Sequence, residues 1–114
     1  MKRYGYISHA ESLTDLSSQY DTLLYFQCEE ITGEAPLDRD SRTGLKSLLA
    51  SAKPGDIIIV VTLNQLGRTV AQVNATIKEC LGCGIKILVA DIAMIDNGVQ
   101  GSLIIKTLES VGKL

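Results

Sequence analysis

A chain of 114 residues is the size of one domain, and with 46% hydrophobic but only 4% aromatic residues its core falls to Ile, Leu, Val and Ala. That composition suits a parallel sheet covered on both faces by helices. A formal net charge of −2 argues against a chain that grips DNA alone, because duplex DNA is held chiefly by Lys and Arg neutralising phosphates; no apolar run approaches the ~18 residues of a membrane helix.

Met1, Lys2 and Arg3 lead straight into strand-like sequence without a secretory leader pattern, so a cytoplasmic location is expected. Residues 3–8, with Tyr4, Tyr6 and Ile7 apolar, read as a first strand. Ser12 to Asp15 reads as a loop and a helix entry, and Leu16, Tyr20, Leu23 and Leu24 then recur at helical spacing, which predicts a helix over 14–25. Residues 26–31 form a weaker second strand. Residues 32–42 hold Gly33, Pro36 and five charged side chains and read as a mobile loop. A short helix follows, with Leu45, Leu48 and Leu49 on its apolar side, and Pro54-Gly55-Asp56 makes a turn.

Residues 56–62 contain Ile57-Ile58-Ile59-Val60-Val61, an unbroken apolar run that predicts a central strand with both faces covered. This strand delivers Leu63-Asn64-Gln65-Leu66-Gly67-Arg68 to its carboxyl end, the edge where open α/β sheets bind ligands. Arg is also the side chain best shaped to hold a phosphate through two parallel hydrogen bonds. Residues 69–82 give the clearest helical pattern, with Val70, Val73, Ile77 and Leu81 as the buried stripe and Gly82 and Gly84 as the stop. Residues 85–90 predict another buried strand, 93–101 a loop, and 102–111 the start of a final helix. The apolar face of that helix, Leu103, Ile104, Ile105, Leu108 and Val111, is wide for so small a domain. The alternation predicts a single domain over 1–114, a three-layer α/β/α sandwich on a mostly parallel sheet of four to five strands.

Cys28, Cys80 and Cys83 suit a reducing compartment. Cys80-Leu81-Gly82-Cys83 closes a helix before a strand, whereas a redox C-x-x-C opens a helix after one, and a zinc site would need a second ligand pair in a chain whose one histidine is His9. The cysteines are therefore expected to be structural, with no metal and no cofactor.

Several segments, in order, resemble the N-terminal catalytic domain of the serine site-specific recombinases, the resolvases and DNA invertases. Gly5-Tyr6-Ile7 is similar to the opening strand of that family, and Leu16 and Gln19 to its L-x-x-Q. Glu29 and Gly33 fit its acidic-x-x-x-G loop entry, and Arg42-Thr43-Gly44-Leu45 its R-x-G-L. Gly55-Asp56, the apolar strand and Leu63 to Arg68 resemble G-D-(apolar)-L-D-R-L-G-R, and Gly84-Ile85 and Gly101 keep the later spacing. Together they span about a hundred residues. The resemblance implies a known chemistry. A serine at the end of the first strand attacks a DNA phosphodiester, forms a 5′-phosphoserine link and releases a 3′-hydroxyl, while arginines stabilise the charge that develops.

This chain departs at the centre of that chemistry. The serine falls on Ala10, an arginine on Ser8, and the Asp-Arg pair on Asn64 and Gln65, while Gln19, Arg42 and Arg68 keep the matching residues. A methyl group is no nucleophile, and each lost transition-state donor is worth about 3–4 kcal/mol in other enzymes. The expectation is a recombinase-like domain without strand cleavage, touching DNA weakly or indirectly and acting through protein contacts. It would form homo- or hetero-oligomers with recombinase-like domains through Leu103, Ile104, Leu108 and Val111 of the final helix. With the sequence ending at Gly112-Lys113-Leu114, no helix-turn-helix is expected. Two alternatives stay open. Ser12 or Ser8 is a displaced nucleophile, or Arg42, Arg68 and Gln19 form an anion site for a phosphate or nucleotide. Against convergence, Arg42 would cap its own loop in solvent and Arg68 would pair with Asp56 or Asp91. His9 is expected to be structural.

Overall fold

The computed structural model describes residues 1–34 and 42–90, together with the backbone of 94–95. In chain order the elements are β1 (Arg3–Ile7), α1 (Leu13–Tyr25), β2 (Glu30–Gly33), α2 (Thr43–Ser51), β3 (Ile57–Val60), a 3-10 turn (Leu63–Gln65), α3 (Val70–Gly82), β4 (Lys86–Val89) and β5 (Met94–Ile95). They form one sheet in the order β2-β1-β3-β4-β5. The first four strands are mutually parallel, with Tyr4 beside Glu30 and Ile58, and Ile59 beside Leu88. The fifth runs antiparallel, with Met94 beside Leu88. The expected α/β architecture is therefore present, and its four- to five-stranded sheet divides into a parallel body and one antiparallel edge.

Side-chain alternation along the strands builds two cores. On one face Tyr4, Tyr6, Ile58, Val60, Ile87 and Val89 pack with Leu45 and Leu48 of α2 and with Val73, Ile77, Cys80 and Leu81 of α3. On the other, Ile7, Ile57 and Ile59 pack with Leu23 of α1, flanked by Leu16, Phe26 and Ile31. That division gives the three layers. All four residues of β3 are buried, as its unbroken apolar run requires. Gly5 lets α1 lie close, since a Cβ there would stand 3.0 Å from Leu23 and 3.2 Å from Cys28 and Ile31.

Several boundaries differ from the sequence reading. The second strand begins at Glu30 rather than at residue 26. The backbone N–H of Phe26 closes α1 onto the Thr22 and Leu24 carbonyls, and Gln27 follows in the left-handed region at φ 62°, so the chain is still turning where a strand was expected. That strand also takes in Thr32 and Gly33, the start of the expected loop. Inside the expected loop 93–101 lies β5, a two-residue pairing too short to leave a periodic signal. On α3, Val70 is only half-buried, and Thr76 and Cys80 join Val73, Ile77 and Leu81 inside. The expected final helix, with Leu103, Ile104, Ile105, Leu108 and Val111, lies outside the described residues, as does most of the 32–42 loop.

The topology fixes where a site can form. From β1 the chain steps outward to β2 with α1 on one face, then returns past β1 to β3 with α2 and α3 on the other. The order reverses between β1 and β3, and the crevice at their carboxyl ends is where such sheets take ligands.

Candidate functional site

Two loops meet at that reversal. One is 8–12, between β1 and α1; the other is 61–69, between β3 and α3. They are joined by Gln65. Its Oε1 accepts the backbone N–H groups of Ser8 at 2.9 Å and His9 at 3.0 Å, with the Ser8 hydroxyl at 3.4 Å. Gln65 and Ser8 are both buried. From the other side Gln19, also buried, donates through Nε2 to the His9 carbonyl at 2.9 Å and to Asp15 at 3.2 Å. The His9 backbone is therefore held by one glutamine through its N–H and by another through its C=O. The Oε1 of Gln19 is buried and has no hydrogen-bond partner among the described residues.

Beside this knot a cleft of about 660 Å³ opens between the ends of β1 and β2 and the start of α1. Ser8, His9, Ala10, Ser12 and Arg68 line it together with an apolar wall of Ile7, Leu13, Leu16 and Tyr20. Ala10, the position at which the resemblance implies a nucleophile, is one of these lining residues. Ser12 is the N-cap of α1, and its Oγ accepts the Asp15 N–H at 3.0 Å. Such a cap satisfies a donor that the helix cannot satisfy itself.

Arg68 is placed by glycine chemistry and by a local bond. A Cβ on Gly67 would stand 2.7 Å from the Gln72 Cβ and 2.8 Å from the Val73 nitrogen, so the chain presses against the start of α3 there. The Arg68 N–H donates to Gln72 Oε1 at 2.8 Å, and Thr69 caps α3 by accepting the Gln72 N–H. Its side chain borders the cleft. Asp56, one partner considered for Arg68, is engaged elsewhere. Its carboxylate accepts the backbone N–H groups of Lys2 and Lys53 at 2.9 Å, at the amino end of β3. Asp91 lies outside the described residues.

Arg42 does not cap its loop in solvent. It is half-buried and donates to the hydroxyl of Thr76 on α3, an oxygen that lies 2.8 Å from the Leu66 carbonyl. Asn64 is exposed and accepts from the Thr62 hydroxyl. Of the residues singled out in the sequence, the cleft thus gathers Ser8, Ala10, Ser12 and Arg68. Gln65 and Gln19 brace its floor, Arg42 braces α3 behind the second loop, and Asn64 faces outward.

Glu34 is the residue that sequence reading missed. Its carboxylate borders the same cleft but is already engaged by the Gly44 N–H at 2.6 Å, the Leu45 N–H at 2.9 Å and the Tyr6 hydroxyl at 2.6 Å. It supplies negative charge to the start of α2, where free N–H groups favour an anion. No local motif marks it, because its partners are ten and eleven residues ahead and on a neighbouring strand. The signal that could have pointed to Gln65 is its amide, which accepts as well as donates.

The cysteines lie apart from the cleft. Cys80 is buried on α3, where desolvation pushes its thiol up to about 12, and Cys83 is exposed just past the helix. Among the described residues no three His, Cys, Asp or Glu side chains group closely enough to hold a metal ion, and no helix is long and apolar enough to cross a membrane.

Comparison with known proteins bears on the family and the fold. Residues 4–114 match the family model for the resolvase N-terminal domain. The chain is 26% identical over 119 residues to a resolvase/recombinase of Pseudomonas putida, covering 99% of this chain and 64% of that protein. It is 30% identical over 105 residues to the transposon Tn552 DNA-invertase BinR of Staphylococcus aureus, covering 90% of this chain and 55% of that one. The chain thus spans roughly half to two thirds of the length of these relatives. In fold it superposes on the N-terminal catalytic domain of TP901-1 integrase with a TM-score of 0.70, at 18% identity, over 99% of this chain and 95% of the other. A family match across nearly the whole chain, on a sheet of this order, makes the conclusion plain: the chain belongs to the resolvase N-terminal domain family and is a serine recombinase domain of the resolvase/invertase type.

Proposed function

We propose that this domain does not cut DNA by the covalent route of its family and acts instead through contacts with recombinase-like domains. The observation that carries the reading is Ala10, whose side chain borders the cleft with Arg68 and offers no oxygen. Neither neighbouring serine replaces it readily. The Ser8 hydroxyl is buried against Gln65. Ser12 would have to leave its cap on α1, at a cost of about 1 kcal/mol, to turn its oxygen toward a phosphate. With Ser8 and Gln65 where the family carries arginines, charge developing on a phosphorane-like centre would also lack two of its donors.

The test is a suicide DNA substrate carrying sites of related recombinases, followed by denaturing electrophoresis. No protein–DNA adduct is expected. An adduct mapped to Ser12 or Ser8 would overturn the proposal in favour of a displaced nucleophile.

The protein-contact role draws support from the apolar residues Leu103, Ile104, Leu108 and Val111 in the sequence, and from α1, which leaves Leu13 85%, Leu24 60% and Tyr25 82% exposed. Tuning or poisoning the assembly of an active recombinase is the expected form of action, with DNA reached weakly or through the partner. Pull-down by tagged resolvases and invertases is expected to recover the domain, and failure with all of them would remove this role.

A second reading draws support from the residues that line the cleft, which include Arg68, Ser8 and Ser12. It would hold a phosphate or a nucleotide. Calorimetry with inorganic phosphate and with nucleotides, on the chain and on Arg68→Ala, decides it, since binding that is lost in the variant is the result that this reading requires.

A further inference from the structure

We propose that Gln65 is a positioning residue, a strut that bridges the crevice between β1 and β3 and fixes the 8–10 segment. Its presence excludes a guanidinium at the same position. This deepens the reading of an inactive domain and rests on it: restoring the nucleophile at position 10 alone would not rebuild the family's site.

The physical basis is the direction of two hydrogen bonds. The backbone N–H groups of Ser8 and His9 follow the last residue of β1, where the strand ladder has ended. Both point at one oxygen, Gln65 Oε1, at 2.9 and 3.0 Å. Both partners are donors, so the group that receives them must be an acceptor. An amide carbonyl qualifies, whereas a guanidinium has five donors and no acceptor. An arginine at position 65 would leave the N–H groups of buried Ser8 and half-buried His9 facing a third donor, and a donor removed from water without an acceptor is destabilising. The crevice at the reversal of strand order, open to ligands in other sheets of this class, is here crossed by a side chain of the protein. Gln19 completes the brace by donating to the His9 carbonyl at 2.9 Å. The 8–10 segment is therefore held from both sides in the arrangement that suits Gln65.

The claim separates acceptor chemistry from bulk. Gln65→Glu keeps length and acceptor, Gln65→Asn keeps the amide but is one methylene short, and Gln65→Arg keeps length but loses the acceptor. Amide hydrogen exchange on the full chain, free of DNA, reads the strut directly. The Ser8 and His9 amides are expected to exchange about tenfold faster or more in Gln65→Asn and Gln65→Arg, and to stay within about threefold of the unaltered chain in Gln65→Glu, while α3 amides such as Ile77 keep their protection in every folded variant. If Gln65→Arg does not fold, the contrast of Asn with Glu still decides. Unchanged protection in Gln65→Asn, or equal loss in Gln65→Glu and Gln65→Asn, overturns the strut. These outcomes are independent of catalysis, whereas an adduct formed by the unaltered chain would overturn the inactive reading and leave the exchange result standing.

Discussion

Ala10 and Cys80 show how much a single side chain decides in this domain. Ala10 is half-buried beside the cleft, so a hydroxyl added there meets open space on one side. Ala10→Ser is expected to change stability by no more than about 0.5 kcal/mol in urea denaturation. It is also expected to form no covalent adduct on a suicide substrate, because Ser8, Asn64 and Gln65 still lack the groups that the family's reaction uses; an adduct would show that the nucleophile alone was missing. Cys80 is a different case. Burial raises its thiol from an ordinary value of 9.0 to about 12. The folded chain holds that proton more tightly than the unfolded one, so between these two values unfolding releases a proton. Stability from this group is complete below pH 9.0 and declines as pH climbs toward 12. Denaturation midpoints measured from pH 8 to 11 should fall along that range, and less steeply in Cys80→Ala after correction for its lower baseline. Iodoacetamide at pH 8 should label exposed Cys83 well before Cys80.

At the scale of elements, the turn from β3 into α3 is closely held. It runs through a 3-10 turn, the pinch at Gly67 and the Thr69 cap within seven residues, 63–69. The atoms facing a Cβ at Gly67 are the Gln72 Cβ and carbonyl carbon and the Val73 nitrogen, all at 2.9 Å or less, and none is the loose end of a side chain. Gly67→Ala is therefore expected to cost about 1–3 kcal/mol, as overpacking does elsewhere. The shift should also reach Arg68, so near-ultraviolet and exchange signals should change locally even where the fold survives. A Gly67→Ala variant as stable as the unaltered chain would mean that α3 moves aside freely. At the start of α2 the balance differs. Arg42 sits in the left-handed region at φ 54°, uncommon for a residue with a Cβ, and its bond to Thr76 together with Glu34 on the Gly44 and Leu45 N–H groups holds that entry.

For the molecule as a whole, the question is whether this domain works in company. The described surface carries exposed Leu13, Tyr20, Leu24 and Tyr25 on α1, and the sequence carries a further apolar set at 103–111. Sedimentation of the purified chain, alone and with an active resolvase domain, is expected to show self- or mixed association. Leu108→Glu should weaken it at least tenfold through a charge placed in an apolar contact. A monomer under both conditions would leave the protein-contact role without a mechanism.

The order of strands and helices as far as β4, the buried central strand, both longer helices and the family to which the chain belongs were determined by sequence alone, because apolar periodicity and glycine spacing are local and collinear. That Ser8, Ala10, Asn64 and Gln65 stand where the family carries other groups is what the resemblance implies. What those residues do instead was decided only in three dimensions. Gln65 meets Ser8 and His9 across more than fifty positions of chain, Arg42 reaches Thr76, and Glu34 finds the start of α2. The strand edge at Met94 is set by its partner β4 rather than by its own two residues. Each of these is a hydrogen bond or pairing between distant segments, and direction and distance between such segments exist only once the sheet has brought them together.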